Sequence, residues 1–314
     1  MLSKKMRIGL ITTLFLFTLG CAGMPTMTKA PPPEKPVEKQ APKIVSKGPK
    51  KRVGIVDFEN KTTYGKGRLG SSASDILTTE LFKTGAFIVV ERAQLQKILG
   101  EQALGQSGVI NPATAAEAGK ILGLNAIVTG SISQFGVKTE GKDYGVYKQK
   151  VQKAECTVDV RVVDTTTGQI LFADSGSGVF EKKISEVLGL GQRGGYDETM
   201  GQNALRASIT KFMDNLIQQL QSTEWSGRIA KVSGSTVYIN AGKDVGLEIG
   251  NILRVYSLGE EIYDPQTHVL LGREEGPLKA ELLVTGYVDA NLTKATIKSG
   301  TGLTVNDVVK LKAQ

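Results

Sequence analysis

Apolar residues recur along this 314-residue chain with two different periods, and the change between them divides the sequence. Val53-Gly54-Ile55-Val56-Asp57-Phe58 is a short apolar run that predicts a strand. A polar loop follows, and then Ser71–Lys83 carries Ala73, Ile76, Leu77, Leu81 and Phe82 at helical spacing, with Ser71, Ser72 or Ser74 available to cap it and Gly85 to end it. Phe87–Val90 predicts a second strand. Ala93–Leu104 and a segment opened by Asn111-Pro112 predict two more helices. Ala126–Phe135 predicts a third strand. In the next one Ala154, Cys156, Val158, Val160 and Val162 alternate with polar residues, so one face is buried and one exposed. Thr165-Thr166-Thr167-Gly168 turns that strand into Gln169–Ser175, and Ala204–Leu220 is an amphipathic helix through Ile209, Phe212, Met213, Leu216 and Ile217.

Beyond residue 221 the helical period disappears. Gly227–Val232, Ser235–Asn240, Ile252–Ser257, Glu261–Asp264, Val269–Gly272, Ala280–Val288 and Thr304–Lys312 are short runs separated by turn residues, a pattern of an all-β unit. The expected fold is therefore an α/β region, a sheet with flanking helices, over residues 52–221, followed by a small all-β barrel over 222–314.

The first 51 residues read differently. Lys4, Lys5 and Arg7 precede Leu10–Leu19, an apolar run of about ten residues that is too short to span a bilayer as a helix. Thr18-Leu19-Gly20-Cys21 resembles the bacterial lipobox, in which the cysteine is acylated and becomes the mature N-terminus. That resemblance makes residues 1–20 a signal peptide and Cys21 the lipidation site. With Ala22 next, where a retaining Asp would be expected for the inner membrane, it implies the periplasmic face of the outer membrane. Residues 24–50 hold seven of the ten prolines, interleaved with Lys and Glu, and predict an extended tether over 21–51. That segment serves as a solvated spacer or meets anionic lipid or cell wall.

Charge then changes its meaning. The formal net charge of +8 would suggest a nucleic-acid partner. Residues 1–20 carry +3 and residues 25–52 carry +6, which leaves −1 for 53–314. The expected folded region is nearly neutral, and nucleic acid is not an expected partner.

Chemistry is sparse. One His and two Cys exclude a His-rich zinc site and a disulfide framework. His268 follows Asp264-Pro265-Gln266-Thr267, which reads as a hairpin turn. Cys156 lies on the inward face of its strand. Asp57, Asp159 and Asp164 sit at strand ends or on polar faces without paired carboxylates. Gly65-Lys66-Gly67-Arg68-Leu69-Gly70 matches a dinucleotide-binding pattern, but Glu59–Tyr64 intervene between the strand and its first glycine. The expectation is a protein that is not an enzyme, with no catalytic, cofactor or metal residues.

Arg52-Val53-Gly54-Ile55-Val56-Asp57-Phe58, Val89-Val90-Glu91-Arg92, Ala126-Ile127-Val128-Thr129-Gly130-Ser131-Ile132 and Val160-Arg161-Val162-Val163-Asp164 with Thr167-Gly168-Gln169-Ile170-Leu171 resemble the CsgG family, lipoproteins of curli production, assembly and transport. The resemblance implies a homo-oligomer at the outer membrane with an exported or envelope protein as partner. In the curli channel the loop after the first strand narrows the pore. Here that loop is Asn60–Gly70, and the pore-facing groups it offers are Asn60 and Tyr64. Residues Val137–Lys153 and Val179–Met200 occupy the hairpin positions of the channel; charges on alternating faces leave both membrane strands and shortened soluble hairpins open. Val237-Tyr238-Ile239-Asn240-Ala241-Gly242 and Gly246–Val255 are similar to the C-terminal barrel of flagellar assembly protein T, which implies a binding module for a flagellar or wall-associated partner.

Overall fold

A computed structural model describes residues 48–65, 68–101, 112–143, 147–187, 198–266 and 270–312. The first part is a mixed sheet. Strands β1 (Lys51–Ile55), β2 (Glu59–Asn60), β3 (Phe87–Val90), β4 (Ala126–Asp143), β5 (Tyr147–Asp164) and β6 (Ile170–Val187) alternate with helices α1 (Arg68–Lys83), α2 (Arg92–Glu101), α3 (Pro112–Leu122) and α4 (Glu198–Ser222). The order across the sheet is β3-β1-β4-β5-β6, with β2 on β4. The pairs around β1 are parallel, because helices carry the chain between those strands, while β4, β5 and β6 are antiparallel.

One face of the sheet packs Val53, Ile55, Val128, Val158, Val160 and Val162 against α1 and α4, through Leu77, Leu81, Leu205, Ile209, Phe212 and Leu216. The other face is covered near β1 and β4, where Val56, Ile127 and Val163 meet Leu95, Ala115 and Ala118 of α2 and α3. The helix–sheet approach over β6 is close enough that a Cβ on Gly176 would lie 2.1 Å from the Ser208 carbonyl oxygen.

Three expectations need correction. Helix α1 begins at Arg68, so Ser74 lies inside it and caps nothing. Its Oγ instead sits 2.9 Å from Val56 O and accepts the Phe58 N–H at 3.1 Å, tying the helix to the loop. The strands expected at Ala126–Phe135 and Gln169–Ser175 run on for 18 residues each, to Asp143 and Val187. Backbone pairing holds through Asp143↔Lys148 and Tyr147↔Val187, so lysines and glutamates that blur the apolar period do not end the ladder.

The second part is a closed barrel of β7 (Ser226–Ser233), β8 (Thr236–Ile239), β9 (Ile252–Tyr263), β10 (Leu270–Asp289), β11 (Leu292–Gly300) and β12 (Val308–Leu311), in the order β10-β11-β8-β7-β12-β9. Ile229, Val237, Ile239, Leu253, Val255, Leu282, Val284 and Val309 fill it, with Trp225. Runs expected as separate strands fuse into β9 and β10, whose pairing passes through several register shifts. Strand β11 lacks a strong apolar alternation; small residues such as Thr293 and Ala295, both fully buried, are what the narrow interior admits.

Candidate functional site

The loop between β2 and α1 holds the two residues expected to face a conduit. Glu59 and Asn60 pair in parallel with Ser131 and Ile132 of β4, which fixes where the loop leaves the sheet. Asn60 Oδ1 accepts hydrogen bonds from Thr62 N at 3.0 Å and Thr62 Oγ1 at 2.8 Å, and its Nδ2 donates to Tyr64 O at 2.6 Å. Both ends of the amide are thus engaged in closing the loop, a use of Asn typical of tight turns. Tyr64 is 43% exposed, and its ring packs on Phe135 of β4 with centroids 5.3 Å apart and planes tilted by 59°. The structure thereby couples the loop to the strand that extends from the sheet.

That extension is a three-stranded ribbon whose charges meet across strands. Lys153 Nζ lies 3.1 Å from Glu181, and Lys138 Nζ lies 3.9 Å from Glu155. The Lys153 ammonium is held above its ordinary range, first by its hydrogen bond to Glu181 and then by the surrounding carboxylates.

Several sequence candidates take structural roles. Asp164 Oδ1 accepts the N–H groups of Thr166 and Thr167, both at 2.7 Å, and so builds the β5–β6 turn. Asp57 Oδ2 accepts from Gln96 Nε2 at 2.5 Å. Gly70 lies inside α1, where a Cβ would fall 2.0 Å from Phe58 O, so this glycine serves the close packing of the helix on the loop that follows β1. Cys156 is buried; burial pushes its thiol up to about 11, against a smaller opposing effect of its hydrogen bond with Ser208. Cys21, the tether as far as residue 47 and His268 lie outside the described residues, whereas Lys50 and Lys51 at the tether's expected end already belong to the fold, Lys51 as the first residue of β1. Among the described residues no group of His, Cys, Asp and Glu is placed to hold a metal ion. Among them, too, no helix is long and apolar enough to cross a membrane, which says nothing of strands.

Sequence reasoning missed the junction of sheet and barrel. Arg52 Nη1 donates to Asn240 O at 2.9 Å, and Nη2 to Asp244 Oδ2 at 2.9 Å and Asn291 Oδ1 at 3.0 Å. Beside it Asn125 accepts Arg52 N at 2.9 Å and donates to Ser226 O at 2.7 Å. Partners that lie more than 70 residues apart in the chain leave no local signal.

The architecture is an α/β sheet with an extended antiparallel ribbon, joined to a small closed barrel. Residues 39–247 match the family described as the curli production assembly/transport component CsgG, and the chain belongs to that family. The match ends at Leu247, inside the barrel, so the likeness to the flagellar protein remains a resemblance of sequence. A Neisseria meningitidis serogroup B protein described as a lipoprotein is 28% identical over 183 residues, which cover 55% of this chain and 78% of that protein. Among solved structures, lipoprotein GNA1162 of Neisseria meningitidis is 16% identical with a TM-score of 0.32, covering 54% of this chain and 98% of that one. The C-terminal domain of LpoB from Salmonella enterica is 14% identical with a TM-score of 0.29, covering 41% and 83%.

Proposed function

We propose that the protein is an envelope lipoprotein of a Gram-negative bacterium, acylated at Cys21 and held by residues 21–51 at the periplasmic face of the outer membrane. There it acts as an oligomeric part of an apparatus that assembles or secretes a surface structure. The family match over residues 39–247 carries this reading. A relative described as a lipoprotein supports the anchor. The ribbon of β4, β5 and β6 and the adjoining Asn60–Tyr64 loop are the parts through which neighbouring subunits would form or line a conduit.

A second reading is a scaffold without a pore, in which the barrel holds an envelope partner. The ion pairs Lys153–Glu181 and Lys138–Glu155 favour it, since charges on a lipid-facing strand near mid-membrane cost about 2–4 kcal/mol each for Lys or Arg.

One experiment separates the readings. Cys21→Ala is fractionated beside the natural chain, and detergent-extracted protein is sized and reconstituted in planar bilayers. A conduit runs as a large ring and conducts. A scaffold becomes soluble with Cys21→Ala and gives no conductance. Failure of the natural chain to incorporate labelled palmitate overturns the anchor.

A further inference from the structure

A cavity of about 220 Å3 opens where the α4–β7 linker meets β9, β10 and β12. A water takes about 30 Å3 of liquid, so this space admits a ligand several heavy atoms long. At its mouth Lys310 of β12 places Nζ 2.7 Å from Glu224 Oε2 and 2.6 Å from Glu275 Oε1, and 5.4 Å from the centre of the Tyr256 ring. Two carboxylates from separate elements and one aromatic face converge on a single ammonium. All four residues line the cavity.

The backbone is shaped to make this arrangement. Pairing of β10 with β9 jumps from Glu275↔Leu258 to Leu278↔Tyr256, leaving Gly276 and Pro277 as a bulge. A Cβ on Gly276 would lie 2.2 Å from Ser257 O, and one on Gly259 would lie 1.8 Å from Glu274 O, so both glycines are required by the close approach. A bulge re-aims the side chains next to it, and Glu275 is the residue that leads directly into this one.

The charges there do not cancel. The side chains of Glu224 and Glu275 are 60% and 61% exposed while that of Lys310 is 21% exposed, so two accessible carboxylates share one partly enclosed cation. The nearby Arg273 is already engaged by Glu261 and by the Gly259 carbonyl. Burial lowers the affinity of the Lys310 amine for its proton, but the hydrogen bonds it donates to Glu224 and Glu275, with their charges, outweigh this and raise it overall. Exposed ion pairs of this kind contribute little to folding.

We propose that this cavity is a receptor for the ammonium end of a lysine-type side chain or a free alkyl diamine, and that Lys310 is its built-in competitor. The incoming ammonium takes the place of Lys310 Nζ between Glu224 and Glu275 over the Tyr256 ring, and Lys310 turns out to solvent. The methylene stem of the ligand lies along Leu258 and Val308. An aromatic face beside carboxylates rewards an organic cation.

The chain's one tryptophan, Trp225, is buried between the cavity-lining residues Glu224 and Ser226 and reports on the site. Its fluorescence is followed in the full-length protein during titration with Nα-acetyl-lysine amide, with cadaverine and with the Nε-acetylated lysine derivative. A saturable change is expected with both amines and none with the Nε-acetylated compound. Lys310→Met, which removes the competitor, is expected to bind about 10-fold more tightly, and Glu275→Gln about 10-fold more weakly. Tighter binding of the lysine amide supports the site and assigns it to a protein side chain; tighter binding of cadaverine supports it and assigns it to a free diamine. No saturable response in either the natural chain or Lys310→Met, an equal response to the Nε-acetylated compound, or a Lys310→Met variant that folds yet binds no tighter would each overturn the proposal.

Discussion

Arg52 of β1 and Asp244 of the turn after β8 form an ion pair of 2.9 Å, although they are 192 residues apart in the chain. Their side chains are 12% and 21% exposed. Arg52 also donates to Asn240 O and Asn291 Oδ1, so one guanidinium ties the first strand of the sheet to three points of the barrel. The adjacent Lys50 N donates to Val245 O at 2.6 Å, and Ile88 packs against the barrel core. The strand that follows the tether is therefore also the strand that fastens the two parts together.

Arg52→Ala is expected to lower stability by about 2–3 kcal/mol, since it removes three charge-assisted bonds and leaves Asp244 without this partner. Urea unfolding measures the loss, and amide exchange is expected to rise first in β8 and the Lys243–Val245 turn. Arg52→Lys retains only part of the stability, because an ammonium does not reproduce the forked geometry.

Gly176→Ala places a methyl group 2.1 Å from Ser208 O, where α4 lies against β6. Either the helix moves or the strand bends. The expected cost is about 1–3 kcal/mol, read as a fall in melting temperature, while alanine at Gly136, which has open space around it, is expected to cost well under half as much.

Burial pushes the Lys51 ammonium down to about 8 from its ordinary 10.5, while its Nζ donates to Gln221 O at 2.7 Å. Below pH 8 the residue is charged in both folded and unfolded chains, and the desolvation cost is constant. Between pH 8 and 10.5 the unfolded chain binds more protons, so the contribution of Lys51 to stability rises with pH and then levels off. The stability difference between the natural chain and Lys51→Met is expected to move toward the natural chain by up to about 3 kcal/mol between pH 7 and pH 10.5.

Asn60→Ala opens the loop that carries Tyr64 without touching the core. The expected cost is about 1 kcal/mol, with faster limited proteolysis between residues 61 and 65. Tyr64→Phe keeps the packing on Phe135 and is expected to leave proteolysis unchanged.

In a Cys21→Ala background, Cys156 is the one remaining thiol. With its pKa lifted to about 11, its thiolate fraction at pH 8 is on the order of 100-fold below that of a free cysteine. A disulfide reagent is expected to react with the native protein at least that much more slowly than with the urea-unfolded chain.

Much of this fold was legible where one residue's neighbours in sequence are also its neighbours in space. The alternation from Ala154 to Val162 gave the buried face of β5, and the spacing of Ile209, Phe212, Met213, Leu216 and Ile217 gave the buried stripe of α4. The same reasoning stopped β4 and β6 too early, because their outer halves are held by backbone pairing and cross-strand ion pairs in place of apolar burial. It passed over β11, whose small residues are selected by the width of the barrel.

The sequence by itself determined the change from an α/β region to an all-β region, and also the family, since local patterns and short motifs carry these. Tertiary structure alone decided that Arg52 meets Asp244, that Asn60 closes its own loop while Tyr64 rests on Phe135, and that Glu224, Glu275 and Tyr256 surround Lys310. Those contacts join residues from different elements, and their geometry depends on how the sheet and barrel pack, which no local period encodes.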